Sequence, residues 1–345
     1  MKTRKNLALW RNAIVLALAA AAVAFIAKAP ALEAQGRPDL EALHQRLLPL
    51  FETNGVVFTD ADETSGRLVV GVLNRGVEGQ VRGRLRALGV DSQSVDVVET
   101  EPIIALATLR DRSDDIVGGL QIRFSQYLCS LGFPAWRNGV LGFVTASHCS
   151  DSQGSVDGTT YYQPLDQVQV DIIGTEIADP AYVRGNGRDC PRSRRCRQSD
   201  ANFSRSGGGL RGVTIGKIAR TTGLGSLTID PANPTFTINA RGIANKDASV
   251  DKVGRTTGWT RGTVSNTCVD TGVQGSTIVL LCQTFVTSSN VIVQGGDSGS
   301  PVFAIGSGGN VTLLGGLWGG NQSGTQFVYS PIANIEAELG VLDTD

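Results

Sequence analysis

The stretch Thr145-Ala146-Ser147-His148-Cys149 contains one of only two histidines in 345 residues, and Gly295-Gly296-Asp297-Ser298-Gly299-Ser300-Pro301 frames a serine with glycines. The other histidine, His44, lies near the N-terminus. A serine hydroxyl is a weak nucleophile unless a neighbouring base takes its proton, and an imidazole is suited to that work near neutral pH. We therefore expect the fold to bring His148 and Ser298 together in one site.

The N-terminal residues have the layout of a secretory signal peptide. Basic residues come first, an apolar run occupies residues 13–27, and small residues follow it. The run is shorter than the ~20 residues that a helix needs to span a bilayer. We therefore expect residues 1–34 to be a signal peptide and the rest of the chain to be secreted, with no stable membrane anchor. A retained anchor is the alternative.

All six cysteines lie beyond residue 115. An even number of cysteines in an exported chain predicts disulfides, although spacing alone does not determine the pairing. No CxxC pair occurs and histidine is scarce, so we expect neither a metal ion nor any other cofactor. The cysteines are Cys129, Cys149, Cys190, Cys196, Cys268 and Cys282.

The overall composition excludes some partners. A formal net charge of −1 predicts no general attraction to nucleic acids or anionic membranes. Glycine is abundant, with 43 residues, and aromatic residues make up only 6%, which favours short strands joined by tight turns. We expect no nucleic-acid partner and a monomeric protein.

Residues 35–115 differ in pattern from the rest. Apolar residues have helical spacing in 40–51 and 77–88, and residues 67–73 read as a strand. This cysteine-free segment follows the signal peptide, so we interpret it as a small α/β pro-region that is a transient partner of the remaining chain. A permanent N-terminal domain is the alternative.

From residue 116 onward, short apolar or alternating runs recur between glycine-rich turns. This pattern is typical of a β-sandwich or of β-barrels. The length suits two small barrels, the first over about 116–210 and the second over about 245–330. One helix is predicted near 331–340, closed by Gly340.

The histidine and serine stretches resemble the two signature motifs of chymotrypsin-like serine proteases, in the same order, histidine before serine. Gly254-Arg255-Thr256-Thr257-Gly258, followed by Gly262-Thr263-Val264, resembles the secreted bacterial streptogrisin and alpha-lytic protease group. The resemblance implies a serine endopeptidase domain over 116–345 that acts on polypeptide substrates. It also implies an all-β fold of two six-stranded antiparallel barrels with a C-terminal helix, preceded by the α/β pro-region.

The resemblance assigns roles to three residues. Ser298 would attack the peptide carbonyl, His148 would take and return the proton, and a buried acid would orient the imidazole. Asp200, in Ser199-Asp200-Ala201-Asn202-Phe203, matches that acid best. Asp171 and Asp189 are its competitors.

The loop around Ser298 carries two further assignments from the resemblance. The N–H groups of Gly296 and Ser298 would form an oxyanion hole. Asp297 would form a buried ion pair with Arg255 that supports the loop. Ile116-Val117-Gly118-Gly119 resembles the new N-terminus that trypsin-type zymogens insert against this aspartate, but we interpret it as an ordinary first strand.

The family also bridges the cysteine after the histidine to the preceding strand, which predicts Cys129–Cys149. Cys268–Cys282 would join adjacent strands, and Cys190–Cys196 would close a small loop. Six arginines occur between residues 184 and 197 around that last pair. We interpret them as part of a solvated insertion loop; a substrate-steering surface or a self-processing site is the alternative.

The walls of the specificity pocket come, in this family, from residues just before the serine and from a later Trp-Gly strand. No acid occurs in 291–294 or 317–320, and no histidine is spare for a glutamate-selective pocket. We expect an apolar pocket formed by Ile292, Val293, Leu317, Trp318 and Gly319. The alternative function is a catalytically inactive, protease-like binding module, which is disfavoured because no triad or oxyanion position is substituted.

Overall fold

The structure is a computed structural model that describes residues 38–207 and 211–345. The predicted signal peptide, residues 1–34, lies outside these ranges. The chain divides into two compact units, Met1–Ile104 and Ala105–Asp345. No helix within the described ranges is both long and apolar enough to cross a membrane.

The first unit is a small α/β structure. Its elements are α1 (Pro38–Gln45), β1 (Val56–Asp62), β2 (Arg67–Val72), α2 (Glu78–Ala87) and β3 (Val95–Glu99). The sheet order is β1-β2-β3, with β1 antiparallel and β3 parallel to β2. The helix predicted over 40–51 is shorter than expected and is followed by a separate 3₁₀ turn, Leu48–Glu52. Pro49 explains the break, because proline cannot continue the hydrogen bonding of a helix.

Residues 105–115 pack within the second unit, although the sequence analysis assigned them to the pro-region. Leu109 is fully buried in the core of that unit. Its N–H donates to the Leu227 carbonyl at 3.0 Å, and its carbonyl accepts from the Gln121 N–H at 2.8 Å. The boundary between the compact units therefore lies before Ala105 rather than at 115. Leu109 precedes a charged stretch, so nothing in the local sequence indicates that it is buried.

The second unit consists mainly of β-strands and ends in one helix, α3 (Ile332–Leu339). Its strands are β4 (Ile116–Gly118), β5 (Gln121–Phe124), β6 (Tyr127–Ser130), β7 (Phe133–Arg137), β8 (Val140–Thr145), β9 (Thr160–Tyr162), β10 (Ile172–Ala178), β11 (Val183–Arg184), β12 (Arg195–Arg197), β13 (Asn202–Ser206), β14 (Val213–Ala219), β15 (Thr235–Arg241), β16 (Ser249–Gly254), β17 (Gly258–Gly272), β18 (Ile278–Thr287), β19 (Pro301–Ile305), β20 (Asn310–Gly320) and β21 (Gln326–Pro331).

Barrel one is built from β5 to β10 and β13. β6 pairs with β5, and β7, its continuation after a bend, pairs with β8. From β8 the antiparallel pairings run through β13, β10 and β9 back to β5. With β6 and β7 taken as one bent strand, the ring has six strands. Phe143, Tyr161 and Ile173 are fully buried in its core.

Barrel two is closed by β16, β17, β18, β21, β20 and β19. Each strand is antiparallel to the next, and β19 returns to β16. Val250, Val264 and Phe327 are fully buried in its core. Parallel pairs of β15 with β20 and of β12 with β18 extend the sheet beyond the ring. The predicted fold class, all-β with two six-stranded antiparallel barrels and a C-terminal helix, is confirmed.

Candidate active site

His148 and Asp200 are brought together by the pairing of two strands of barrel one. β8 ends at Thr145 and β13 begins at Asn202, and these residues lie opposite each other in the antiparallel register. His148 follows β8 in a short 3₁₀ turn, and Asp200 precedes β13. Asp200 Oδ2 lies 2.7 Å from His148 Nδ1, and Asp200 Oδ1 accepts the His148 backbone N–H at 3.0 Å. The carboxylate therefore holds both the ring and the main chain of the histidine.

The electrostatics of this pair favour the charged form of both groups. Burial acts to lower the pKa of His148, but the charge and hydrogen bond of Asp200 outweigh it and raise that pKa above its ordinary value. Burial acts to raise the pKa of Asp200, but His148 and Arg197 outweigh it and lower that pKa. Such a carboxylate stabilises the imidazolium that forms when the histidine takes a proton.

The competing acids have other partners. Asp171 is buried and pairs with Arg112 at 3.1 Å and Arg211 at 3.2 Å. Asp189 accepts a hydrogen bond from Asn186 in the arginine-rich loop. Within the described residues, Asp200 is the only carboxylate that forms a hydrogen bond or ion pair with His148.

The loop of Ser298 in barrel two is docked on Ser130 in barrel one. The Ser130 N–H donates to the Ser298 carbonyl at 2.8 Å, and the Ser130 hydroxyl donates to the Gly296 carbonyl at 2.9 Å. Thr145, three residues before the histidine, donates its hydroxyl to the Ser130 carbonyl at 2.9 Å. Ser298 Oγ and His148 Nε2 make no hydrogen bond to each other in this structure, and such contacts are often long until substrate binds. Ser130 carries no signal in the sequence, because a lone serine after a cysteine is part of no motif.

Three disulfides are present, and each is one of the predicted pairs. Cys129–Cys149 joins the residue before Ser130 to the residue after His148, so it ties the docking point of the serine loop to the histidine. The others are Cys190–Cys196 and Cys268–Cys282. In the described part of the chain, no group of three or more His, Cys, Asp or Glu side chains is arranged to hold a metal ion.

Two glycines flank Ser298 in backbone conformations that other residues rarely adopt. The φ angle is +95° at Gly296 and +91° at Gly299. A Cβ on Gly299 would lie 2.2 Å from the Ser130 carbonyl oxygen, and a Cβ on Gly296 would lie 2.6 Å from Arg255 Nη1. At Gly299 the neighbour is backbone, so a side chain would force the loop away from it. At Gly296 the end of the arginine can move, and the left-handed φ angle is what disfavours a side chain.

The backbone N–H groups of Gly296 and Ser298 are free. Neither donates a hydrogen bond within residues 38–207 and 211–345, whereas the N–H groups of Asp297 and Gly299 both do. Most backbone donors in a folded protein are paired. Two free donors close together in one loop can stabilise an oxygen that becomes negatively charged during a reaction.

Asp297 is fully buried, and its cation is Lys252 rather than the predicted Arg255. Lys252 Nζ lies 3.4 Å from Asp297 Oδ2, and both side chains are 0% exposed. Burial lowers the pKa of Lys252, and the neighbouring Asp297 opposes that change. The carboxylate also accepts hydrogen bonds from the N–H groups of Thr256 and Thr257 and from the Thr257 hydroxyl.

Arg255 makes different contacts. Its guanidinium donates to Gln121 at 2.7 Å and to the Thr256 hydroxyl at 3.1 Å, and it forms no ion pair or hydrogen bond with Asp297 in the described structure. The predicted stretch, residues 254–258, thus binds Asp297 through the N–H groups of Thr256 and Thr257 and the Thr257 hydroxyl. The positive charge comes from Lys252 in β16. Lysine is rarely fully buried unless it is paired, so nothing in the sequence around Lys252 indicates its burial.

A second buried network supports the chain around the histidine and its acid. Arg197, predicted to lie in a solvated loop, is only 3% exposed. It pairs with Asp179 at 2.7 Å and with Glu338 of α3 at 2.9 Å, and it also donates to the Ala201 carbonyl. Ser147 donates its hydroxyl to the same Asp179. Arg197 therefore connects the residue before the histidine with the residue after the acid, a role hidden in the sequence by its arginine neighbours.

The predicted pocket residues divide into two groups. Three side chains belong to the core of barrel two: Ile292, Val293 and Leu317. Each of these three side chains is at most 5% exposed. Trp318 and Gly319 are partly exposed. The two predicted walls are nevertheless adjacent, since a Cβ on Gly320 would lie 2.6 Å from Val293 Cγ1.

Replacement of Lys252 should be far more damaging than replacement of Arg255. Lys252→Met leaves a buried carboxylate without its cation, which should destabilise the protein by about 3–5 kcal/mol. Arg255→Met removes hydrogen bonds of a partly exposed side chain, which should cost about 1 kcal/mol. Chemical denaturation of both variants measures the difference, and a larger loss for Arg255→Met would contradict the assignment of Lys252.

Of the comparisons with known proteins, only the one with solved structures finds similar proteins. No protein-family model matches the chain, and no curated protein sequence matches it. Protease A of Thermobifida fusca is 25% identical, with 67% of this chain and 100% of that chain covered and a TM-score of 0.47. A Nocardiopsis protease is 23% identical, with 67% and 100% covered and a TM-score of 0.47. A glutamic acid-specific serine protease is 20% identical, with 66% and 100% covered and a TM-score of 0.48.

With TM-scores below 0.5, these similarities do not by themselves establish the fold of this chain. The strand pairings of the chain itself do: two closed six-stranded barrels, with the histidine stretch in the first and the serine stretch in the second. This architecture is the fold that the resemblance to the chymotrypsin-like serine proteases implies.

Proposed function

We propose that this chain is a secreted serine endopeptidase that hydrolyses peptide bonds in polypeptide substrates. The observation that carries the proposal is the pair of free N–H groups at Gly296 and Ser298, in the loop that Ser130 holds against barrel one. A binding module would gain nothing from two unpaired backbone donors, whereas an acyl-transfer site requires them. The contact of His148 with Asp200 at 2.7 Å supports the same conclusion.

In the proposed reaction, Ser298 Oγ attacks the scissile carbonyl carbon while His148 Nε2 takes the hydroxyl proton. Asp200, bound at Nδ1, keeps the accepting nitrogen free for the serine and stabilises the imidazolium. The imidazolium then gives its proton to the leaving amine as the C–N bond breaks, which leaves an acyl-enzyme. Water repeats the sequence and releases the carboxylic acid, so the reaction needs no cofactor.

The carbonyl oxygen becomes negatively charged in both halves of this reaction. In the proposal it is bound by the N–H groups of Gly296 and Ser298, which have no internal acceptor to give up. Removing one such donor typically lowers kcat about 100- to 1,000-fold. The positive φ of Gly296 supports this role, because it sets the orientation of the first donor.

We propose an apolar specificity pocket whose walls are mainly the backbones of 291–294 and 317–320, with the ring of Trp318 at one side. Neither segment contains an acid, so an arginine or lysine side chain of a substrate would lack an ionic partner. Gly319 and Gly320 lie at the end of β20. Their small size leaves room for an extended substrate to pair with this strand.

We also propose that a pro-region is removed by a cut between the two compact units. Residues 101–106 form neither helix nor strand, and Ile103 and Leu106 are 83% and 69% exposed. Downstream, Leu109 is fully buried and hydrogen-bonded, and Ile116 is 0% exposed within β4. A cut after 115 would detach a segment that belongs to the second unit, so we place the cut within 102–106. Its apolar residues suit the proposed pocket.

N-terminal sequencing of the secreted protein tests this position. The wild-type protein should begin between residues 103 and 107, whereas Ser298→Ala should retain the segment before residue 102 if the protein cuts itself. A mature N-terminus at Ile116 would contradict the proposal. Complete processing of Ser298→Ala would assign the cut to another protease.

A fluorophosphonate tests the proposed nucleophile. Such a reagent forms a covalent bond only with an activated serine, so the processed wild-type protein should be labelled and Ser298→Ala should not. Ser300→Ala is the matched control, because Ser300 is a buried serine two residues away and should leave labelling intact. Absence of labelling in processed wild-type protein would favour the inactive binding module.

The pH dependence of kcat/KM tests the proposed base. Only the neutral imidazole can take the serine proton, so kcat/KM should rise as His148 loses its proton. Because Asp200 raises the pKa of His148, the midpoint of the rise should lie above the ordinary histidine value of about 6.5. A profile that is flat from pH 5 to 8 would exclude a histidine base.

A further inference from the structure

Gln283 of β18 is a fully buried amide that joins several segments near the site. Its Nε2 donates to the carbonyls of Gln198 at 2.7 Å and Leu281 at 2.6 Å. Its Oε1 accepts from the Ser330 hydroxyl and from the Trp318 indole N–H, each at 2.9 Å. An amide has two donor hydrogens and one oxygen with two lone pairs, so every hydrogen-bonding position of Gln283 is occupied.

One side of this network reaches the acid. The Ser330 hydroxyl accepts the backbone N–H of Asp200 at 3.0 Å while it donates to Gln283. Gln198, the other partner of Gln283, lies two residues before Asp200. Gln283 therefore holds the segment that carries Asp200 at two points: directly at Gln198 and, through Ser330, at Asp200.

The other side of the network reaches the serine loop. Trp318 lies in β20 directly after Leu317, whose N–H donates to the Ser300 carbonyl at 2.9 Å. The Leu317 carbonyl accepts the Gly299 N–H at 2.7 Å. Trp318 also packs against the core of barrel one. The amide thus links the strand that holds the serine loop to the segment that holds the acid.

We propose that Gln283 is a positioning residue that fixes Asp200 relative to β20 and so aligns His148 with Ser298. The inference rests on the proposed function and adds a residue to it that no motif contains. Gln283 contacts none of the reacting groups, so it acts through Ser330, Gln198 and Trp318.

Gln283→Met tests the inference, because methionine has a similar shape and lacks the amide. The Asp200 segment should lose two of its supports, and kcat should fall about 10- to 100-fold, as small displacements of catalytic groups do. KM for a peptide substrate should change little, because substrate binding does not use the amide. Should Gln283→Met not fold, Gln283→Asn, whose amide is one methylene shorter, should show the same loss of kcat.

Gln163→Leu is the matched control. Gln163 is also a fully buried amide, which donates to Asp111 at 2.8 Å and accepts from Arg211 at 2.9 Å. Its loss should lower the melting temperature of the protein about as much as Gln283→Met does, yet leave kcat unchanged. Equal effects of both variants on kcat would reduce Gln283 to a general stabiliser and overturn the inference.

A double-mutant cycle with Ser330→Ala shows whether the effect of Gln283 on kcat passes through Ser330. Because Gln283 acts on Asp200 partly through Ser330, the double variant should lose less kcat than the product of the two single losses. Independent, multiplicative losses or an unchanged kcat in folded Gln283→Met would overturn the inference. If the wild-type protein itself has no peptidase activity, the proposed function fails. If the wild type is active and Gln283→Met has the same kcat, only the positioning role fails.

Discussion

The buried carboxylate of Asp297 is the constraint on which the site depends. It lies between the two residues whose N–H groups are free, and a buried charge without a partner would cost several kcal/mol. Lys252 supplies the opposite charge at 3.4 Å, and the backbone of Thr256 and Thr257 supplies hydrogen bonds. With the carboxylate satisfied from barrel two itself, the serine loop has one favoured arrangement. In that arrangement the N–H groups of Gly296 and Ser298 have no acceptor among the residues that the structure describes.

The histidine and the serine come from different barrels, and Ser130 and a disulfide join them. Ser130 bonds to the serine loop on both sides of Asp297, and a disulfide ties the neighbouring Cys129 to the residue after His148. The burial of Ile116 within β4 indicates that this arrangement forms without insertion of a new N-terminus.

The sequence predicts features that rest on local patterns and misses those that rest on long-range packing. The two barrels follow from recurrent short apolar runs, and the contact of His148 with Asp200 follows from residues that flank two paired strands. Arg255 seemed the partner of Asp297 because it lies in a recognisable stretch, whereas Lys252 lies in an ordinary strand. Arg197 and Gln283 carry no local signal at all, since their partners are distant in the sequence and only the folded chain reveals that they are buried.

We propose that the N–H groups of Gly296 and Ser298, in the loop held by the Lys252–Asp297 pair, bind the negatively charged oxygen of the reaction. A crystal structure of the protein after reaction with a fluorophosphonate tests it most directly. We expect phosphorus bonded to Ser298 Oγ, a phosphonyl oxygen within hydrogen-bond distance of the Gly296 and Ser298 N–H groups, and Asp297 still buried against Lys252. Phosphorus on another residue, or a phosphonyl oxygen bound elsewhere while both N–H groups remain empty, would contradict it.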